Sequence, residues 1–113
     1  MSQPVRMKIC WRVTPEESGR ITAALHTLMV AIRKDPSSVG CHLSTEMGPR
    51  TGLIYIEEWK DEEGLKRQLR SARFSKLAEL LEWSIESPVV EFTLPAGTRD
   101  LGYAEEVRMD QSA

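Results

Sequence analysis

Cysteine and histidine are scarce in this chain of 113 residues, with Cys10 and Cys41 its two thiols and His26 and His42 its two imidazoles. The thiols make neither a CxxC pair nor a disulfide framework, and so few soft ligands leave no zinc or iron site to expect. Long hydrophobic runs are missing too. Charged residues interrupt every apolar stretch well before the roughly 20 residues of a membrane span, and no basic region leads into an apolar run at the N-terminus. A cytoplasmic protein without a membrane partner is the expectation. Neither sign of charge dominates: 15 Lys+Arg stand against 17 Asp+Glu, and the net charge of -2 arises in residues 95–113. There Arg99 and Arg108 face Asp100, Glu105, Glu106 and Asp110. A neutral body carries no general affinity for nucleic acid. No G-x-G-x-x-G or phosphate loop is present, so no nicotinamide or flavin is implied.

What is present is enough for one core, since 41% of residues are apolar and the length suits a single domain. Over residues 5–13, Val5, Met7, Ile9, Trp11 and Val13 alternate with Arg6, Lys8, Cys10 and Arg12, the period of a half-buried strand. Thr14, Pro15 and Glu17 have the pattern of a capping box. Ile21, Ala24, Leu25, Leu28, Met29 and Ile32 then form one helical stripe, ended by Asp35-Pro36. A turn at Ser37-Ser-Val-Gly40 precedes a strand over 41–47, and Gly48-Pro-Arg-Thr-Gly52 turns into another over 53–59. Asp61 caps a short helix to Arg70, Phe74, Leu77, Ala78, Leu81 and Ile85 mark a further helical stretch, and 89–94 is the last strand. The domain is therefore expected to span residues 4–96, leaving 97–113 as a polar tail that docks on a partner or stays mobile.

The order β-α-β-β-α-α-β specifies an α+β fold, the ferredoxin-like plan with helices on one side of a four-stranded antiparallel sheet. One sheet face is then bare. Leu53-Ile-Tyr-Ile56 is apolar on both parities, so something other than this chain's own helices must cover the second face. A second copy, closing a two-chain barrel, is the expected partner.

Gly40-Cys41, the run Leu53-Ile-Tyr-Ile-Glu-Glu-Trp-Lys-Asp-Glu-Glu-Gly-Leu65 and Ser71-Ala-Arg-Phe74 resemble the antibiotic biosynthesis monooxygenase family of dimeric α+β barrels. The resemblance covers roughly residues 5–95 and includes the family's Glu-x-Trp strand end and Ser-x-x-Phe. It implies a homodimer and, among several family activities, cofactor-independent monooxygenation of a small aromatic or quinol-like substrate. Where quinol monooxygenases of the family commonly carry histidines, this chain has Gln68 and Arg73. The positions matching the haem degraders' Asn, Trp and His are Ile9, Gln68 and Ala78, which offer haem no axial ligand. A non-catalytic dimeric small-molecule-binding or interaction module of the same fold is the alternative.

Cofactor-free oxygenation asks for an apolar pocket and a group that helps a phenol ionise. His42 and Glu57 are the candidate bases. His42 faces either the barrel interior or solvent; Glu57, on a covered strand, has a structural ion pair with a first-strand Arg or Lys as its competing role. Gln68 lies on the inner stripe of the short helix between Leu65 and Leu69, and would either meet a ligand or be satisfied by backbone. Trp11, Tyr55, Trp59 and Phe74 are the candidate walls, with simple core packing as the competing reading. The expected cavity lies between the sheet and residues 62–81. Lys66, Arg67, Arg70, Arg73 and Lys76 read as a solvated ridge paired with Glu62 and Glu63.

Overall fold

The structure, a computed structural model, describes residues 4–46 and 50–110. Its elements in chain order are β1 (Val5–Val13), α1 (Pro15–Arg33), β2 (Ser38–Glu46), β3 (Thr51–Trp59), α2 (Glu62–Leu69), α3 (Ala72–Leu81), β4 (Val89–Leu94), β5 (Gly97–Arg99) and α4 (Gly102–Met109). The strands form one antiparallel sheet in the order β2-β3-β1-β4-β5. The fold is thus ferredoxin-like α+β, as the pattern requires, with a fifth strand where four were expected.

Alternation decides which face is buried. Val5, Met7, Ile9, Trp11 and Val13 are at most 3% exposed, while Arg6, Lys8, Cys10 and Arg12 between them stay in contact with solvent. In β3 the same parity puts Leu53, Tyr55, Glu57 and Trp59 on the helix side, and Ile54, Ile56 and Glu58 are half-exposed on the other. From α1, Ile21, Leu25, Met29 and Ile32 complete this core.

Local chemistry departs from the sequence pattern in several places. Thr14 precedes α1 in extended conformation, yet its side chain makes no capping bond; the Glu17 and Ser18 amides donate to its carbonyl instead. Asp61 does cap α2, accepting from the Gly64 amide at 2.9 Å. Residues 38–40, expected in a turn, begin β2 with a bulge between Ser38 and Gly40, and Met47, Gly48 and Pro49 of the expected hairpin lie outside the described residues. The last helical stretch ends at Leu81, because Ile85 is drawn to the sheet, its amide donating to the Arg12 carbonyl at 2.8 Å. Gly64 is needed for close approach: a Cβ there would stand 2.9 Å from the Ser37 Cβ and 3.4 Å from the Trp59 ring.

The polar tail is the main correction. Residues 97–109 are not an appendage of this fold, since β5 pairs with β4 and α4 buries Tyr103, Ala104 and Val107. The Tyr103 ring lies 5.1 Å from that of Phe92, and its hydroxyl donates to Glu62 at 2.6 Å. Two arginines clasp helix ends reciprocally. Arg70, after α2, donates to the Val107 carbonyl at 3.2 Å, while Arg108 of α4 donates to the Leu69 carbonyl at 2.6 Å. Cations placed at carbonyl-rich helix C-termini are favourable for both helices. Four apolar side chains among charges read as a tail because α4, unlike the equally short α2 with Asp61, has no capping side chain at its N-cap, Leu101. No helix among the described residues is long and apolar enough to cross a membrane.

Candidate functional site

Because β3 alternates, it delivers Tyr55, Glu57 and Trp59 side by side to the helix layer, and Gln68 of α2 descends onto them. All four are at most 1% exposed. Glu57 is the centre: Oε2 accepts from the Tyr55 hydroxyl at 2.6 Å and from the Gln68 amide nitrogen at 3.4 Å, and Oε1 accepts from the Trp59 indole at 3.0 Å. The chain of bonds continues in both directions. Cys41, opposite Glu57 on β2, donates its thiol to the Tyr55 oxygen at 3.4 Å. Arg73 donates to Gln68 Oε1 at 3.0 Å and stands 3.6 Å from Asp35.

The electrostatics follow from burial. Removal from water pushes the Glu57 carboxyl above its ordinary range, against the pull of its three donors and, beyond them, the Arg73 guanidinium. Burial also pushes the Cys41 thiol up to about 11 and raises the Tyr55 phenol, which faces Glu57. Neither is a nucleophile or base near neutral pH. No first-strand cation reaches Glu57, whose register neighbour on β1 is Met7. The carboxylate is held by neutral donors, a structural role that differs from the expected ion pair.

His42 occupies the opposite face, where it is exposed and lies 4.0 Å from Glu58. The two candidate bases are therefore on different sides of the sheet. Phe74 is buried under α4 with the Arg108 guanidinium 5.8 Å from its ring centre, and its amide donates to Ser71 Oγ, which donates to the Gln68 carbonyl. Trp11 is buried on the helix side, level with Leu53. Its indole nitrogen has no hydrogen-bond partner. Leaving a buried polar atom unpaired costs roughly 1–3 kcal/mol, and among the described residues Trp11 Nε1 shares that condition with Glu17 Oε2.

Thus the structure brings together Tyr55, Glu57, Trp59 and Gln68, and leaves Trp11, Phe74 and His42 apart. The cluster is sealed: side chains with no accessible surface line no open cavity. Sequence reasoning missed Cys41 and Arg73 as members, although Cys41 shares the pleat of Glu57 and Arg73 stands five residues after Gln68 across a helix junction. A hollow of about 260 Å³ at the Val13 end of β1 is lined by Trp11 and Leu53 together with Cys10, Arg12, Ile54 and Glu86. Among the described residues no group of three or more His, Cys, Asp or Glu is arranged to hold a metal ion.

The ferredoxin-like sheet with one helix-covered face is a fold shared with solved structures named antibiotic biosynthesis monooxygenase. No protein-family model and no curated protein matches the chain. Solved structures do. A conserved protein from Methanosarcina mazei superposes with a TM-score of 0.70 at 22% identity, covering 80% of this chain and 91% of its own. A candidate antibiotic biosynthesis monooxygenase from Nitrosomonas europaea gives 0.70 at 11% identity, covering 81% and 89%. A further structure named antibiotic biosynthesis monooxygenase gives 0.66 at 17% identity, covering 78% and 94%. At these identities the likeness is one of fold.

Proposed function

We propose that the protein is a homodimeric, cofactor-independent monooxygenase acting on a small phenol or quinol held on the helix side of the sheet. The observation that carries the reading is the unpartnered indole N–H of Trp11, buried in the layer between sheet and helices. A fixed N–H donor there would hold a phenol oxygen and favour its ionised form. The names of similar structures point to the same chemistry.

In such a reaction a phenol with a free para position and O₂ give a quinone and water. The ring carbon loses its hydrogen and gains one oxygen atom, the other oxygen leaves as water, and the substrate supplies all four electrons. Neither His42 nor Glu57 is placed to take the phenolic proton beside Trp11, so ionisation is left to solvent. The expected rate of O₂ uptake rises about tenfold per pH unit until the substrate's own phenol is ionised, near pH ~10 for an unactivated phenol. A bell-shaped profile centred near neutrality would show that a side chain is acting as the base.

The open face fits a second copy. Arg6, Lys8 and Arg12 run along β1, Glu58 and Glu46 stand on one side and Glu91 on the other, and Cys10, Ile54, Ile56 and Val89 lie among them. Apolar side chains on an uncovered sheet face favour burial against the same patch of a second copy. Sedimentation at micromolar concentration is expected to give twice 12.8 kDa, and Ile54→Glu to give a folded monomer. A monomeric unmodified protein would overturn the dimer.

One observation favours the non-catalytic alternative: Gln68 is engaged at both ends of its amide, by Glu57 and Arg73. O₂ uptake with a panel of hydroquinones separates the two. Ligand binding that is lost in Trp11→Phe, without O₂ uptake in either protein, would establish the binding module; uptake that survives Trp11→Phe unchanged would remove Trp11 from the site.

A further inference from the structure

Beyond Cys10 the sheet is interrupted beside Trp11. The pairing of β4 with β1 reaches only to Val89 opposite Cys10, whereas β3 continues along Trp11, Arg12 and Val13. Pro88, next in line, has no N–H with which to extend the ladder. The chain before it crosses the end of β1 instead, with the Ile85 amide and the Ser84 hydroxyl both donating to the Arg12 carbonyl, at 2.8 and 3.3 Å. The hollow of about 260 Å³ lies at this break, and its lining comes from both faces of the sheet. Trp11, Leu53 and Ile54 are apolar parts of that lining, and Arg12, Glu46 and Glu86 are its charged part.

We propose that this hollow is the ligand's seat against Trp11, and that Arg12, Glu46 and Glu86 make it selective for a neutral single-ring phenol over one that bears a carboxylate. The inference rests on the reading that the ligand meets Trp11, and it adds the class of substrate. Size sets the first limit. An apolar cavity of about 150 Å³ holds one benzene ring, so a hollow of about 260 Å³ seats one ring with its substituents and leaves part of a larger ring system in water. The Trp11 nitrogen has no contact with solvent, so the indole turns towards the hollow for its N–H to meet the phenol oxygen. A donor without a partner gives up no hydrogen bond in turning.

Charge sets the second limit. Both oxygens of Glu86 are engaged, Oε1 standing 3.3 Å from Arg12 Nε and Oε2 3.8 Å from the Arg50 guanidinium. Arg12 also stands 4.0 Å from Glu46. Two cations and two anions cancel, and the cation that lines the hollow is already shared between two carboxylates. A carboxylate on the ligand would compete with Glu46 and Glu86 for Arg12 while lying close to both, and like charges at that range repel. A hydroxyl or an amide in the same place brings no charge and meets no repulsion. All of these side chains are in contact with water, so the selection has the size of an exposed ion pair, about two- to fivefold, and salt weakens it.

Calorimetric titration under nitrogen with the hydroquinone carboxylate gentisate and with its neutral amide tests this, because the two ligands differ by one charge at nearly constant shape. The amide is expected to bind about two- to fivefold more tightly, and the ratio to shrink as salt is raised. Glu86→Gln, which leaves Arg12 and Arg50 against Glu46 alone, should bring the carboxylate level with the amide or ahead of it. Arg12→Gln should widen the gap. The comparison in the unmodified protein and its salt dependence stand without either variant. Equal affinities there, tighter binding of the carboxylate, a gap that Glu86→Gln leaves as it was, or no binding of either ligand would overturn the site. No oxygen enters the titration, so selective binding without O₂ uptake in air defeats the oxygenase reading alone, and O₂ uptake at equal kcat/KM with both ligands defeats the selectivity alone.

Discussion

A chain ending at residue 96 is expected to lose about 4–7 kcal/mol of stability, most of what holds a small domain together. The estimate comes from what leaves with α4. Tyr103 and Val107 are 6% and 4% exposed, and burial of side chains of that size contributes roughly 1.5–3 kcal/mol each. Loss of Tyr103 also uncovers Phe92, against which it packs, and loss of Arg108 uncovers the ring of Phe74. The C-terminus of α2 loses its guanidinium cap, since Leu69 has no Arg108, and Arg70 loses the Val107 carbonyl it met. Urea denaturation of the truncated and full chains measures the difference. A truncated protein with an unchanged midpoint would mean that α4 is packed on the domain without stabilising it. Arg108→Ala isolates the clasp, with an expected loss of about 1–2 kcal/mol.

That prediction runs against the sequence pattern, for a physical reason. In β1 the apolar period persists for nine residues and in α1 it runs from Ile21 to Ile32, long enough for amphipathicity to reveal the buried face before anything is packed on it. In α4 only Tyr103, Ala104 and Val107 are buried, and much of its attachment runs through arginines to carbonyl groups of other elements. Side-chain-to-backbone bonds across the fold leave no local spacing to read. The site divides in the same way. Parity placed Tyr55, Glu57 and Trp59 on one face and the helical stripe aimed Gln68 at them, so these four were legible while Cys41 and Arg73 were not. The cluster's closure was not, because whether four large side chains leave a gap is a question of packing volume. Nor could parity alone place His42 outside: that needed the side of the sheet on which the helices lie.

Glu57→Ala is expected to cost about 3–5 kcal/mol, the largest effect of a single substitution in the cluster, and its sign is not obvious in advance. Removing a buried carboxyl relieves a desolvation penalty, which by itself would stabilise the protein. Three donors are nevertheless aimed at those oxygens. The Tyr55 hydroxyl, the Trp59 indole and the Gln68 amide would all lose their acceptor in a layer at most 1% exposed, and each unpaired buried group costs roughly 1–3 kcal/mol. The three losses together exceed the relief. A pH series adds a second sign. Because the folded-state pKa of Glu57 is raised, its contribution to stability is full below about pH 4.5 and is lost as pH rises through the buried value. Stability of the unmodified protein relative to Glu57→Ala should therefore be greatest in mild acid and shrink towards neutral pH. Denaturation midpoints of the two proteins compared across pH measure this directly. A gap that widens with rising pH would mean that Glu57 is stabilised as an anion, with Arg73 outweighing desolvation through the Gln68 amide.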